Sequence, residues 1–559
     1  MSKLTSILCQ PLPLLLVGLA SAHAGPLDAI RAGREAITAD ALRAQVRFLS
    51  DDLLGGRQPG SPGDELARKY LAAQFESMGL LPAGEPVNGR AGYLQWVELV
   101  GMRSRINGTL ALWARGPTVP VQLRLPPAEV VLVAGEQVPT VEVREAEVVF
   151  VGYGITAPEY RWDDYKGADL RGKVLLMMNN DPESDPALFA GRTRLYYGRW
   201  DYKYAEAARH GAVGALLIHT TPSAGYPWSV VQSSWGGENF APPATPESGP
   251  SLKVRGWLTE EASRQLCRGG GHDLDALRQA AEQRTFRPVP LGVRMTVRLD
   301  NEIRRLRSAN VLALLPGRDP KLREQAVVVT AHLDHLGTRP EARGPDKIYN
   351  GAMDNATGLA ALLALARAAV LGPPPRRSLL FAAVTGEEDG LVGSAYLVRH
   401  RPAAAPVFSA NINIDGLNIY GRSPHVVQIG RGKSTLDAVI DQVAAAQGRK
   451  VLPDQMPDKG SFYRSDQLNF ARAGVPSVYL GAPVDLLGPD GRLRLGAGRE
   501  QVERFIEERY HQPTDELRED WDFSGAVQDV QLLHGVMLRL ANQPLPPTFR
   551  PGDEFASRR

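Results

Sequence analysis

Continuous apolar runs separated by helical stretches in the second half of the chain constrain the fold more than any other feature. The runs are Ala326 to Thr330, Ser378 to Val384, Ala410 to Ile414, Val426 to Ile429 and Ser477 to Leu480. Helical periodicity lies between them, notably over Gly358 to Val370 and Ser434 to Gln447. A strand that is apolar on both sides must be covered on both sides. The alternation therefore predicts an α/β fold, a mostly parallel or mixed sheet with helices on both faces. In such sheets functional sites lie just beyond the carboxyl ends of the strands.

The first half reads differently. Ala41 to Leu53 and Glu65 to Met78 are amphipathic helices around the breaker-rich Gly55 to Gly63, and Thr109 to Trp113, Val121 to Leu125 and Glu129 to Ala134 are candidate strands. Residues 142–288 form a block of their own. Glu147 to Gly152, Gly172 to Met178 and Ala215 to His219 read as strands, Tyr204 to His210 as a helix, and Tyr226 to Pro242 as an exposed loop. The expected organisation is a removable segment 1–24, an N-terminal part 25–141 of the main domain, the inserted block 142–288, the main domain proper 289–543, and a loose Pro-rich, charged tail 544–559.

The removable segment is a signal peptide by pattern. Lys3 gives a short positive start, Leu12, Leu14, Leu15, Leu16 and Val17 an apolar run too short to span a bilayer, and Ala22-His23-Ala24 a small-x-small cleavage site. No Cys stands at the cut, which argues against a lipid anchor. Cleavage after Ala24 removes Cys9 and leaves Cys267 alone, so no intrachain disulfide can form. A large exported chain without disulfides fits a bacterial periplasm or secretome. No later run approaches about 18 uninterrupted apolar residues, so no stable membrane insertion is expected. With 64 Lys+Arg against 62 Asp+Glu, nothing in the charge asks for nucleic acid as partner. The sequence leaves the oligomeric state open.

The candidate site residues are polar groups at the ends of the apolar runs. His332-Leu-Asp334-His335 follows the first, Asp354-Asn355 directly precedes a helix, Glu387-Glu388 and Asp415 end two further strands, and His511 and Asp515 sit in a later loop. Carboxylates are costly to bury unless something pairs with them, and divalent cations would do so. Imidazole and carboxylate ligands without thiolate suit zinc. Three protein ligands per ion leave room for water, and five ligands with one bridging serve two ions about 3.5–4 Å apart. Asp334 and Asp515 stand where each could orient an imidazole through its other nitrogen. Neighbouring side chains on an extended segment point apart. One of Glu387 and Glu388 can therefore ligate while the other faces water as general base, and the residues themselves leave open which does which.

At these residues the chain resembles metallopeptidase family 28, the dinuclear-zinc exopeptidases. The matching segments are Ala331-His-Leu-Asp-His-Leu-Gly337, Asn350-Gly-Ala-Met-Asp-Asn-Ala-Thr-Gly358, Gly386-Glu-Glu-Asp-Gly-Leu-Val-Gly-Ser394, Asn413-Ile-Asp415 and Tyr510-His-Gln-Pro-Thr-Asp515, with Phe462 to Phe470 and Ala473 to Pro476 fitting the segment that approaches substrate. Gly56 to Gly60 extends the likeness to the N-terminal helices. The resemblance implies a zinc-exopeptidase mixed sheet. It implies two Zn2+ ions, one held by His332, Asp354 and Asp415, the other by Asp354, Glu388 and His511, with Asp354 bridging. It further implies Glu387 as general base, Asp334 as partner of His332, and Tyr463 as a hydroxyl near the developing oxyanion. Two departures stand out: Gly416 follows Asp415, and Gln467 replaces a frequent His. Residues 142–288 are similar to a β-rich protease-associated domain through Gly172-Lys-Val-Leu-Leu and Ala208 to Leu217.

The function this implies is an exported zinc aminopeptidase that hydrolyses N-terminal residues from peptide substrates, through a metal-bridging water and Glu387. A carboxypeptidase or dipeptidase on the same scaffold would need a basic pocket, for which Arg464 and Arg431 are candidates. A catalytically inactive peptide-binding protein is the alternative from another class. His335 reads as a surface residue or one standing behind the ligands, and His210, His219 and His425 as core or surface histidines. Gly430-Arg-Gly-Lys-Ser434 is no phosphate loop, because Val427 stands where the pattern needs Gly.

Overall fold

The computed structural model describes residues 26–108, 110–114, 121–186, 188–342 and 344–556. The expected signal segment and its cut after Ala24 lie outside the described residues.

The apolar runs are the strands of one mixed sheet. Gln325–His332 is central and parallel to Ser378–Val384 on one side and Val407–Asn413 on the other, which in turn is parallel to Ser477–Gly481. Antiparallel strands flank this parallel centre, residues 311–315 against Ser378–Val384 and His425–Ile429 against Ser477–Gly481. Side-chain alternation explains why the runs are continuously apolar. Val327, Val329, Leu379 and Phe381 point into one core with the helices Ala39–Leu49, Thr357–Leu371 and Ser524–Asn542. Ala326, Val328, Leu380 and Ala382 point into a second core on the other face, with Leu397 and Phe470 of the helices Val392–Arg399 and Gln467–Arg472. Among the described residues one helical stretch, Ala352–Leu371, is long and apolar enough to cross a membrane, and 78% of its most apolar part is buried inside the protein.

One strand was not legible in advance. Val289–Leu315 runs for 27 residues, and charged residues at Arg304, Arg305 and Arg307 break up its apolar pattern. Its start pairs with Thr140–Phe150, its middle with Leu94–Ile106 and its end with Ser378–Val384. It therefore ties the inserted block to the main sheet through continuous backbone pairing. The core of that block also reaches past both expected boundaries, gathering Leu112, Ala114, Leu132 and Ala134 before residue 142, and Leu291, Val293 and Leu299 after residue 288. The physical reason is edge pairing: Val130–Ala134 covers Val254–Thr259, an edge that would otherwise stand open.

Two further expectations change. Tyr226 to Pro242 is not an exposed loop: it holds the helix Trp228–Trp235 and the strand Asn239–Ala241, which pairs with residues 100–102. The aromatic residues that suggested a loop pack inward, Trp235 lying 5.1 Å from Trp200 and 5.9 Å from Trp257. The tail is not loose over its described part, 544–556. Thr435 N donates to Thr548 O at 2.9 Å, Lys433 Nζ lies 2.7 Å from Glu554, and Phe555 is buried 5.9 Å from the Phe462 ring.

Candidate metal centre

Register brings the polar strand ends together. His332 lies opposite Val384, and Thr330 opposite Asn413, so the three strands finish level and their turns emerge side by side. Asp354 comes from the turn before Thr357–Leu371, and His511, at φ 55°, from the loop after Ala497–Glu508.

Asp354 stands at the centre with one oxygen toward each imidazole. Its Oδ1 is 3.1 Å from His332 Nε2 and its Oδ2 is 3.2 Å from His511 Nε2. Asp415 Oδ1 completes the first side at 3.4 Å from His332 Nε2, and Glu388 Oε2 the second at 3.1 Å from His511 Nε2. Among the described residues, His332, Asp354 and Asp415 offer ligand atoms close enough for one ion, and so do His335, Asp354 and Glu388, and His332, Glu387 and Glu388. Both outer nitrogens of the expected ligand histidines are spoken for. His332 Nδ1 donates to the backbone carbonyl of Asp334 at 3.1 Å, and His511 Nδ1 lies 2.7 Å from Ser234 Oγ. Each ring therefore turns Nε2 into the carboxylates, and His332 Nε2 is buried without a hydrogen-bond partner.

Two expected orienting roles move elsewhere. The Asp334 carboxylate does not touch His332; it accepts from the backbone N–H of Glu387 at 3.2 Å and of Glu388 at 3.3 Å, and so holds the turn that carries both. Asp515 does not orient His511 but accepts from Met353 N at 2.9 Å and Asp354 N at 3.1 Å, fixing the turn under Asp354. Tyr463 is also displaced from its expected place. Its buried hydroxyl donates to Glu554 Oε1 of the tail at 2.5 Å and does not line the cavity over the site. The tyrosines that do line it are Tyr226, Tyr479 and Tyr510.

Several supporting residues had no visible role in the sequence. His335 is fully buried and its Nδ1 donates to Glu388 Oε1 at 2.6 Å, leaving Oε2 for His511. Arg57, inside the Gly56 to Gly60 segment, donates to the carbonyls of Leu333 at 2.9 Å, Asn350 at 2.7 Å and Gly351 at 3.1 Å. It thus ties the His332 turn to the Asp354 turn. Asn355 joins the Asp354 and Asp415 turns by accepting from Gly358 N and Gly416 N and donating to Ile414 O. A Cβ at residue 358 would come within 2.1 Å of Asn355 Oδ1, so this position needs glycine. Ser234, by contrast, reaches the site from the inserted block. No local pattern could have linked it to a histidine 277 positions away.

The electrostatics ask for cations. Burial opposes the charge on Asp354, yet the imidazoles of His332 and His511 facing its two oxygens outweigh it and hold it well below the usual carboxylate range. Burial likewise opposes ionisation of Glu388, and the charges of His511 and His335 still bring it down to about 2. His511 is pushed up to about 10 against its burial, chiefly by Glu388, and His332 well above its ordinary value, chiefly by Glu387. Both imidazoles are thus biased toward their charged form where cations would sit. Burial raises Glu387 well above the carboxylate range, helped by Asp415 and Glu388, and raises Asp334 and Asp515 to about 6. Imidazole and carboxylate donors with an orphaned, inward nitrogen fit zinc.

A cavity of about 310 Å³ opens over these groups. The main sheet supplies Asp354, Glu387, Glu388 and Asp415 to its floor, and the inserted block supplies Tyr226, Val231, Ser234 and Trp235 to its wall. The block is anchored there a second time, by Phe240 N donating to Asp389 Oδ1 at 2.8 Å.

Comparison with known proteins agrees with this geometry. The profile described as Peptidase family M28 matches residues 310–534, the segment that carries every expected ligand. A probable zinc metalloprotease of Pyricularia oryzae is 34% identical over 136 residues, 22% of this chain and 24% of its own length. Leupeptin-inactivating enzyme 1 of Streptomyces exfoliatus is 26% identical over 249 residues, 43% of this chain and 50% of its own length. The chain therefore spans between a quarter and a half of these curated relatives. An aminopeptidase from Aneurinibacillus sp. strain AM-1 shares the fold at TM-score 0.54 and 18% identity, covering 94% of this chain and 98% of that one.

Proposed function

We propose that this chain is a member of peptidase family M28, whose profile matches residues 310–534, and on that premise that it is an exported zinc aminopeptidase using two ions. The observation that carries the reading is Asp354, whose two oxygens face two imidazoles, with Asp415 beside one and Glu388 beside the other. His332, Asp354 and Asp415 would hold one ion, and Asp354, Glu388 and His511 the other. Bound zinc supplies Lewis-acid polarisation of the scissile carbonyl and makes an attacking water more acidic.

The chain's own groups do the rest. Glu387 lines the cavity, and among the described residues its carboxylate has no hydrogen-bond donor. It is placed to take a proton from water at its carboxylate oxygen and return it to the leaving amine nitrogen. Asp334 holds the Glu387 and Glu388 backbone so that the two side chains keep separate tasks. The acidic floor favours an ammonium, which supports a free N-terminus at the ligand end. Trp200, Tyr226, Trp235 and Leu391 offer the side chain of the first residue an apolar wall. The inserted block, read as protease-associated, belongs to the binding cleft. Export rests on the pattern of residues 1–24, with a periplasmic or secreted protein as the outcome.

The reading is tested with a short peptide and its N-acetylated twin, following released amino acids with chelator and with zinc restored. Zinc-dependent release from the free N-terminus alone is expected; release from the C-terminus of both peptides would replace the reading with carboxypeptidase.

Two consequences concern the metal. Ser234→Ala leaves His511 Nδ1 without its partner, and losing an outer partner of a ligand histidine costs about 10- to 100-fold in metal affinity. Competition against a chelator of known affinity measures it, and Ser234→Thr should restore most of the loss. Zinc affinity should also rise with pH. His332 and His511 hold protons in the ion-free protein, His511 up to about 10, and each proton displaced makes binding about tenfold stronger per pH unit. The same competition at pH 6 and pH 8 reads the slope, and a flat profile would contradict protonated ligands.

A further inference from the structure

The cavity has a second charged end. Arg464 lines it, and so do Lys459 and Arg499, on the side formed by residues 454–464 and the helix Ala497–Glu508. Among the described residues Arg464 has no carboxylate partner. Its Nη1 makes long contacts, 3.4 Å to Ala224 O and 3.5 Å to Lys459 O, its guanidinium lies 5.0 Å above the Tyr226 ring, and its side-chain partner is the neutral hydroxyl of Tyr510. Two cations stand near it: a Cβ at residue 225 would meet both Lys459 and Arg464, and the Arg194 guanidinium feels Arg464 as a like charge, while Lys459 Nζ is itself 3.4 Å from Asp458 Oδ2. The acid on this wall, Asp454, is occupied by the backbone N–H of Met456 at 2.8 Å. Tyr479 and Tyr510 line the same cavity within electrostatic reach of both Arg464 and Glu387. The other arginine weighed from the sequence is spent elsewhere: Arg431 binds Asp441 at 2.9 Å and Gln428 at 3.0 Å.

A guanidinium held on an aromatic face, lined into a cleft and left without an anion is a carboxylate receptor awaiting its ligand. We propose that Arg464, with Lys459 beside it, binds a carboxylate of the substrate, so that the cleft selects short peptides with an ammonium at the metal end and a free C-terminal carboxylate at the Arg464 end. This rests on the metallopeptidase reading only for where the scissile bond lies. It assigns the cleft a substrate class, di- and tripeptides, and makes Arg464 a specificity residue.

The test compares Leu-Gly and Leu-Gly-Gly with their C-terminal amides, and with Leu-Glu amide, whose carboxylate is on a side chain. Binding is measured by calorimetry on zinc-loaded Glu387→Gln protein, so that it does not depend on turnover, and kcat/KM on the wild type. The peptide acids should bind about 10- to 100-fold tighter than the amides, the range of a charge-assisted bidentate contact. Arg464→Gln should remove that difference while leaving affinity for the amides unchanged, and Arg464→Lys should keep part of it. Discrimination in binding without cleavage of any peptide would refute the peptidase reading and leave the carboxylate site standing. Equal binding of acid and amide by the parent protein would overturn the proposal, as would discrimination that survives Arg464→Gln in a protein with unchanged zinc content and Tm. Tight binding of Leu-Glu amide alone would overturn the C-terminal assignment in favour of an acidic side chain.

Discussion

Glu387→Gln is expected to lower kcat by about 10²- to 10⁴-fold while the protein keeps its full complement of zinc. The substitution preserves shape and removes only the ability to accept a proton. The separation of roles between the adjacent glutamates is what makes this prediction sharp. Glu388 is engaged at both oxygens, Oε1 by His335 and Oε2 beside His511. Glu387 lines the cavity, is pushed toward the neutral form by burial, and is surrounded by the charges of His332, Asp415 and Glu388. Its carboxylate is also close enough to His332 and Glu388 to be an alternative ligand, and the metal content decides between the two roles. Lost turnover with retained zinc makes Glu387 the base; parallel loss of zinc and turnover makes it a ligand.

The second large effect is expected at Asp354→Asn. One oxygen of Asp354 faces His332 and the other His511, so the amide removes the charge both ions would share and turns one acceptor into a donor. The loss in zinc affinity should exceed the roughly 10- to 100-fold cost of losing an outer partner. The fold should survive, because Asp515 grips this turn through the backbone N–H groups of Met353 and Asp354. The measurement is thermal unfolding with and without zinc. Ligand at about 100 times its Kd stabilises the folded state by about 2.7 kcal/mol. A zinc-dependent rise in Tm is therefore expected for the wild type and its absence for Asp354→Asn, with similar Tm values in chelator. An undiminished zinc response in the variant would remove Asp354 from the centre of the site.

The strands of the main sheet and the five metal-ligand candidates were readable from the chain because both follow local rules. A strand buried on both faces must be continuously apolar, as Gln325–His332 and Ser378–Val384 are, and a polar residue ending such a run is conspicuous. The ligand-bearing segments are likewise short and contiguous. The pairing of Glu388 with His335 was less visible, because a histidine three positions after His332 carries no mark of which way it turns.

The partners of those groups depended on the tertiary structure. Asp334 and Asp515 are near His332 and His511 in sequence, but their carboxylates serve backbone N–H groups brought in from other turns. Tyr463 was assigned by its segment and is claimed instead by Glu554, a tail residue 91 positions away. Thus the sequence alone determined the apolar central strands, their burial on both faces and the donor types standing at their ends, since hydrophobic periodicity and donor type are properties of neighbouring residues. Only the tertiary structure decided that Ser234 meets His511, that residues 226–235 wall the cleft, and that Arg464 lines it without a carboxylate partner among the described residues. Those contacts join segments far apart along the chain, and their energies depend on distance in space, which no local pattern encodes.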